Sequence, residues 1–183
     1  MHSNPMKFEH ESRVRELDMV NSLKKLGLDQ DQVVCDYGAG TGIFTVEAAR
    51  LTRGKVYALD MDPAMIALVE EKVKVHGLSN VRTVTVKADQ LPLEAASVDL
   101  LLLATVLHEI EDVPTFVEGI KRVLKPKGKV MVIDFYKKET PMGPPVEARI
   151  SAYQAARHFF REGINLDHQY ALGDNLYLLA MSH

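Results

Sequence analysis

Five polar side chains in this sequence stand just past apolar runs, where a buried strand would hand them to the edge of a sheet. Asp36 follows Val33-Val34-Cys35, Asp60 follows the run from Lys55 to Leu59, and Asp89 follows Val81–Val86. His108 follows the long apolar run that starts at Ser97, and Tyr136 follows the run that starts at Gly128. Between Asp36 and the next helical pattern, glycines occupy alternate positions as Gly38, Gly40 and Gly42. Such a loop lets a ligand approach the main chain closely, and the helix start beside it offers unpaired N–H groups. Asp60 lies 22 positions after Gly38, about where an acid at the tip of a second strand binds ribose hydroxyls. Imidazole at His108 is suited to exchanging a proton near neutral pH. The phenol of Tyr136 would donate a hydrogen bond to a substrate, or simply pack.

The elements that would carry these residues follow from periodicity. Val14, Leu17, Val20, Leu23 and Leu26 predict an amphipathic helix over 12–26, closed by Gly27, after a loose arm over 1–10. Arg13, Arg15 and Asp18 would lie on its exposed face or face a ligand opening. Strands are predicted over 33–37 and 55–59, joined by a helix to about Arg50 in a right-handed βαβ unit. Asp62-Pro63 reads as an N-cap with proline at the first helical position, opening a helix through Val75. That task accounts for Asp62, so the ribose contact goes to Asp60. A third strand covers 81–86. Residues 94–97 are too few for a helix, so one crossover is short. The nearly continuous apolar run Ser97–Leu103 suits a central parallel strand. Asp112 caps a helix to Leu124, a fifth strand runs from Gly128 to Asp134, and the prolines of 140–145 form a loop, read as a substrate wall. A helix over 146–161 precedes strands at 166–172 and 176–181, separated by the hairpin signal Gly173-Asp174-Asn175.

These motifs, in this order, resemble a known family. Asp36-x-Gly38-x-Gly40-x-Gly42 looks like the first motif of the class I S-adenosylmethionine-dependent methyltransferases, and differs from the G-x-G-x-x-G dinucleotide fingerprint, whose last glycine would fall at Ile43. Asp89-Gln90-Leu91-Pro92 resembles the family's third motif. Val106-Leu107-His108-Glu109-Ile110-Glu111-Asp112 resembles the segment after its fourth strand, and Arg122–Gly128 its R-x-L-K-P-G-G turn, with Lys127 in place of one glycine. Among its branches, the chain is similar to the ubiquinone/menaquinone-biosynthesis methyltransferases. The resemblance covers roughly residues 30–181 and implies an α/β, Rossmann-like, doubly wound seven-stranded mixed sheet, mostly parallel, with a C-terminal antiparallel hairpin. It implies S-adenosyl-L-methionine as cofactor. Contacts would come from Asp36, Gly38, Ala39, Gly40, Gly42, Asp60, Met61, Asp89 and Ala104, with Met61 along one adenine face or in plain packing. His108 and Tyr136 would be the catalytic candidates for a small-molecule methyl acceptor.

Composition bounds the alternatives. At 183 residues, 46% hydrophobic and 26% charged, the chain reads as one globular domain, with 1–28 as arm and lid helix and 30–183 as core. A formal charge of −3 without a basic stripe argues against nucleic acid as a partner. Lys125–Lys129 reads as a solvated turn. The lone Cys35 excludes an intrachain disulfide and a cysteine-built zinc site, and reads as a buried core residue. No metal is called for. No signal peptide or membrane span is read, so a cytoplasmic protein is expected. The helix over 12–26 serves equally as a lid or as a homodimer contact. Two rival functions stay open: a non-catalytic module that binds S-adenosylmethionine, and a nicotinamide-dependent oxidoreductase, which the glycine spacing and the terminal hairpin oppose.

Overall fold

A computed structural model describes residues 9–183; the arm expected over 1–10 lies almost wholly outside the described residues. The chain forms two compact units, Met1–Lys87 and Ala88–His183.

The first unit contains α1 (Glu11–Leu17), α2 (Met19–Lys25), β1 (Val34–Tyr37), α3 (Ile43–Leu51), β2 (Val56–Asp60), α4 (Pro63–Val75) and β3 (Val81–Thr85). Its strands lie in the order β3-β2-β1, all parallel, with Val34 opposite Val56 and Val56 opposite Val81. The βαβ reading is borne out, and so is the helix start at Asp62, whose carboxylate accepts from the Ala64 N–H at 2.8 Å. β1 is buried along its whole length, and Cys35 within it is fully buried, as expected. One element differs. The helix predicted over 12–26 is two helices, broken at Asp18, which turns into the left-handed region (φ 39°). At the break the Asp18 N–H donates to Val14 O at 3.2 Å, and its carboxylate accepts from the Asn21 side-chain amide at 2.8 and 3.1 Å. Leu17 and Leu23 are buried on either side of it, so the apolar spacing survives the break.

The second unit contains β4 (Val98–Ala104), α5 (Val113–Val123), β5 (Leu124–Phe135), α6 (Ala152–Arg161), β6 (Asn165–Leu172) and β7 (Leu176–Ser182). Its strands lie in the order β4-β5-β7-β6. β4 and β5 are parallel, while β7 runs antiparallel to both β5 and β6. The crossover into β4 contains no helix, as the length of 94–97 requires. Arg122 on α5 holds that crossover through the carbonyls of Leu91 (2.7 Å) and Leu93 (2.8 Å). β5 begins earlier than expected, at Leu124, and takes in the lysine turn, where Lys125 pairs with Asp99 at 2.7 Å. The helix expected over 146–161 starts only at Ala152. A single 3-10 turn (Val146–Ala148) precedes it, and Ser151 and Gln154 form a capping box. That cap, overlooked in the sequence, is what sets the boundary.

The seven strands belong to one mixed sheet, the α/β Rossmann-like fold expected. The leucines of β4 from 100 to 103 are essentially without solvent exposure, and each contributes about 2 kcal/mol of apolar burial. Among the described residues no helix is long and apolar enough to cross a membrane.

Candidate active site

Each unit gathers polar groups at the carboxyl ends of its own strands. In the first unit the link between β1 and α3 is built from main chain. The N–H groups of Gly38 and Ala39 both donate to Leu59 O, at 2.8 and 3.0 Å, pinning the loop to β2. Gly42 N–H donates to Ala39 O at 2.8 Å. Gly40 N–H donates to Asp60 Oδ2 at 2.8 Å, and the other oxygen of Asp60 accepts from Asp62 N–H at 2.9 Å. Asp60, which the sequence left without a structural task, therefore clamps the glycine loop to the start of α4. Each of its oxygens retains a lone pair for a further donor. Gly38, Gly40 and Gly42 all have positive φ (68°, 53° and 79°). Among the described residues, a Cβ built at Gly40 meets nothing within 4 Å. Met61, beside Asp60, is 62% exposed.

Asp36 lies below this loop, 1% exposed, and its Oδ2 accepts from the Thr45 hydroxyl at 2.6 Å. Burial pushes its carboxyl up to about 6, partly offset by the Thr45 hydrogen bond and reinforced by the charge of Asp60. Asp36 and Thr45 tie β1 to α3. The role of Thr45 was not read from the sequence, although a hydroxyl nine positions after the acid, on the first turn of the helix, was there to be found. Burial likewise pushes the Cys35 thiol far above its usual range. Glu9 pairs with Lys72 of α4, and that partner holds its carboxyl below the usual carboxylate range.

The second unit builds its group from side chains. Asp134, fully buried near the end of β5, accepts from His108 Nδ1 at 2.8 Å, from the His108 main-chain N–H at 3.2 Å and from the Phe135 N–H at 2.8 Å. A carboxylate only accepts, so Nδ1 carries a proton toward Asp134. Glu109 Oε1 lies 3.8 Å from Nε2. The Phe135 ring meets the imidazole edge to face at 6.1 Å. Ala104, at the end of β4, is half-buried, and the next residue, Thr105, is held at φ 59°. A β-branched residue at positive φ is a conformational outlier of the kind that functional sites hold in place. Asp89 is half-buried, also with positive φ (59°). Tyr136 packs its ring 5.8 Å from Tyr177, under the Lys138 ammonium at 5.2 Å. Sequence reasoning missed both Asp134 and Arg149, the latter 4% exposed and bonded throughout the proline loop.

The sequence profile of the methyltransferase domain family matches residues 35–132, more than half the chain. The chain belongs to this family, within the class I S-adenosylmethionine-dependent methyltransferases. A SAM dependent methyltransferase from Aquifex aeolicus is 29% identical, with a TM-score of 0.90 and 99% of each chain covered. The ubiquinone/menaquinone biosynthesis C-methyltransferase UbiE of Proteus mirabilis is 30% identical over 135 residues, 72% of this chain and 53% of that protein. The chain thus spans about half the length of the curated relatives it matches. The (4+2)-cyclase SpnF, 19% identical with a TM-score of 0.79 over 91% of this chain and 80% of its own, shares the fold alone.

The glycine loop of this chain can be compared with the family's cofactor. A Gly40 whose Cβ position meets none of the described residues, an acid with spare acceptor capacity at the tip of β2 and an exposed apolar side chain at Met61 suit a nucleoside bearing an amino-acid tail.

Proposed function

We propose that this chain transfers a methyl group from S-adenosyl-L-methionine to a small-molecule acceptor. The observation that carries the reading is the positive-φ glycine loop clamped by Asp60, where a Cβ at Gly40 meets none of the described residues within 4 Å. In this reading residues 1–183 act as one methyltransferase domain, with 11–25 as a lid. Main chain at Gly38, Ala39, Gly40 and Gly42 cradles the amino-acid tail, Asp60 binds the ribose hydroxyls, and Asp36 supports the loop from beneath. Met61, Asp89 and Ala104 border the base. A cytoplasmic protein without nucleic-acid partners is the setting that goes with it.

When bound, the cofactor supplies a methyl group on a sulfonium, already activated toward a nucleophile. What remains for the protein is alignment and the exclusion of water. His108 adds proton removal: Asp134 keeps the ring proton on Nδ1 and supports the charge that develops when Nε2 takes a proton from the acceptor. Tyr136 is the candidate donor of a hydrogen bond to that acceptor. The relative named for quinone biosynthesis methylates carbon, and a carbon nucleophile of that kind is formed by losing a proton. Hydroquinones therefore head the acceptor panel.

Calorimetric titration with S-adenosylmethionine, S-adenosylhomocysteine and NADH tests the reading. Micromolar binding of the first two is expected; NADH binding alone, or none of the three, would overturn it. On an acceptor that is turned over, His108→Ala should lower kcat and remove the acidic limb of its pH profile. Full turnover in that variant would take His108 out of the chemistry.

A further inference from the structure

Arg149 is the most heavily bonded side chain of the second unit, and none of the chemistry above uses it. It is 4% exposed. Its donors go to oxygens of the segment just before it: Nε to Pro144 O (2.8 Å), and one terminal nitrogen to Tyr136 O (3.0 Å), Lys138 O (2.7 Å) and Thr140 Oγ1 (2.8 Å). The other terminal nitrogen reaches Met142 O at 3.4 Å. Burying a guanidinium is costly unless its donors are taken up, and here carbonyl and hydroxyl oxygens take them, not a carboxylate. The planar fork, with its five N–H groups in fixed directions, suits this, and a lysine ammonium would not reproduce it. A buried charge spent on five oxygens within nine residues holds that segment in one shape.

The held segment is tied to His108 through one ring. The Arg149 guanidinium lies over Phe135 at 5.3 Å. From the loop, Gly143 approaches the same ring so closely that a Cβ there would stand 2.7 Å from Phe135 Cδ1. Phe135 in turn meets the imidazole of His108 edge to face. We propose that Arg149 is a positioning residue for methyl transfer: it sets the 136–148 segment as a preformed wall for the acceptor and, through Phe135, fixes the ring of His108. The proposal rests on the methyltransferase reading above.

Histidine-selective NMR of the full chain tests it without an acceptor. The His108 ring signal is assigned by its loss in His108→Gln, and His76, at the end of α4 in the other unit, serves as reference. In Arg149→Gln the His108 signal should shift or split while His76 stays fixed and the affinity for S-adenosylmethionine stays within twofold. Arg149→Lys should restore little, because the fork is lost although the charge is kept. Should Arg149→Gln fail to fold, Gly143→Ala displaces Phe135 directly and should move the same signal. An unmoved His108 signal in the folded variant overturns the proposal, as does full restoration by lysine. So does a joint movement of all histidine signals with a lowered Tm, which marks a purely structural arginine. Wild-type protein that binds no S-adenosylmethionine fails the methyltransferase reading instead, whatever His108 does.

Discussion

The two units solve the same problem with different materials. Around Gly38–Gly42 the site is main chain, shaped by positive-φ glycines and held by carboxylates that accept from N–H groups. Around His108 it is side chain, an imidazole oriented by a buried aspartate and an aromatic ring beside an arginine-bound loop. A main-chain site tolerates little change where its backbone is clamped, and a side-chain site can be retuned one residue at a time. That suits a cofactor common to a family on one hand and an acceptor that varies on the other.

Removing the clamp should have the largest effect. Asp60→Ala deletes two charge-assisted hydrogen bonds, each worth about 1.5–3 kcal/mol, and frees the loop from α4. S-adenosylmethionine affinity should fall by more than about 100-fold, read by calorimetry. A drop of less than about fivefold would mean that the loop holds itself and that Asp60 does not meet the ligand.

Asp36 supports the same loop from a site that disfavours its charge. Its carboxyl is raised to about 6 in the fold, against ~3.9 for an unfolded aspartate. The native state therefore binds that proton more tightly than the unfolded state does. The contribution of this group to stability falls as pH rises from about 4 to about 6, and is level above. Asp36→Asn keeps an oxygen for the Thr45 hydroxyl and has no charge to bury. Its stability relative to wild type should improve by about 2 kcal/mol between pH 4.5 and pH 8, measured by urea unfolding at both. A constant difference would show that Asp36 is charged throughout, held so by Thr45.

A paired substitution separates glycine as backbone from glycine as ligand space. Among the described residues, a Cβ at Gly40 (φ 53°) or Gly163 (φ 79°) meets nothing within 4 Å, so alanine at either should cost about 1 kcal/mol through its left-handed backbone. Only Gly40→Ala should also weaken S-adenosylmethionine binding, by about tenfold or more. Equal binding in the two variants would remove Gly40 from the cofactor site.

The same contrast explains what could be read in advance. The glycine loop was legible because its requirements are local: glycine where φ is positive, an apolar run before it, an acid at the next strand's tip. The strands, their order of appearance and the closing hairpin at Gly173-Asp174-Asn175 were legible from periodicity and punctuation. The His108–Asp134 pair was only half legible, because the partners lie 26 residues apart and meet through the pairing of β4 with β5. Arg149 was hidden inside an expected helix, where an arginine reads as solvated. The Ser151–Gln154 capping box was the available sign that the helix begins after it. Asp18 broke a helix whose apolar spacing gave no warning, because both halves keep the same buried face.

Lys127 carries the smallest prediction and the sharpest reading of a departure. The family turn that this stretch resembles has a glycine here, within what the sequence reads as a solvated turn. The turn is exposed, but Lys127 sits at φ 66°, where a side chain costs about 1–2 kcal/mol. Part of that is offset because glycine loses more conformational freedom on folding, roughly 0.5–1 kcal/mol. Lys127→Gly should therefore stabilise the chain by about 0.5–1 kcal/mol and leave S-adenosylmethionine binding unchanged, read as a rise in Tm beside calorimetry. Thr105 shares the same backbone region at the end of β4, so Thr105→Gly should also raise Tm. There, unlike at Lys127, a change in binding or turnover should accompany the gain, because the strained residue lies three positions from His108. A gain at Thr105 with function untouched would make that strain as incidental as the one in the lysine turn.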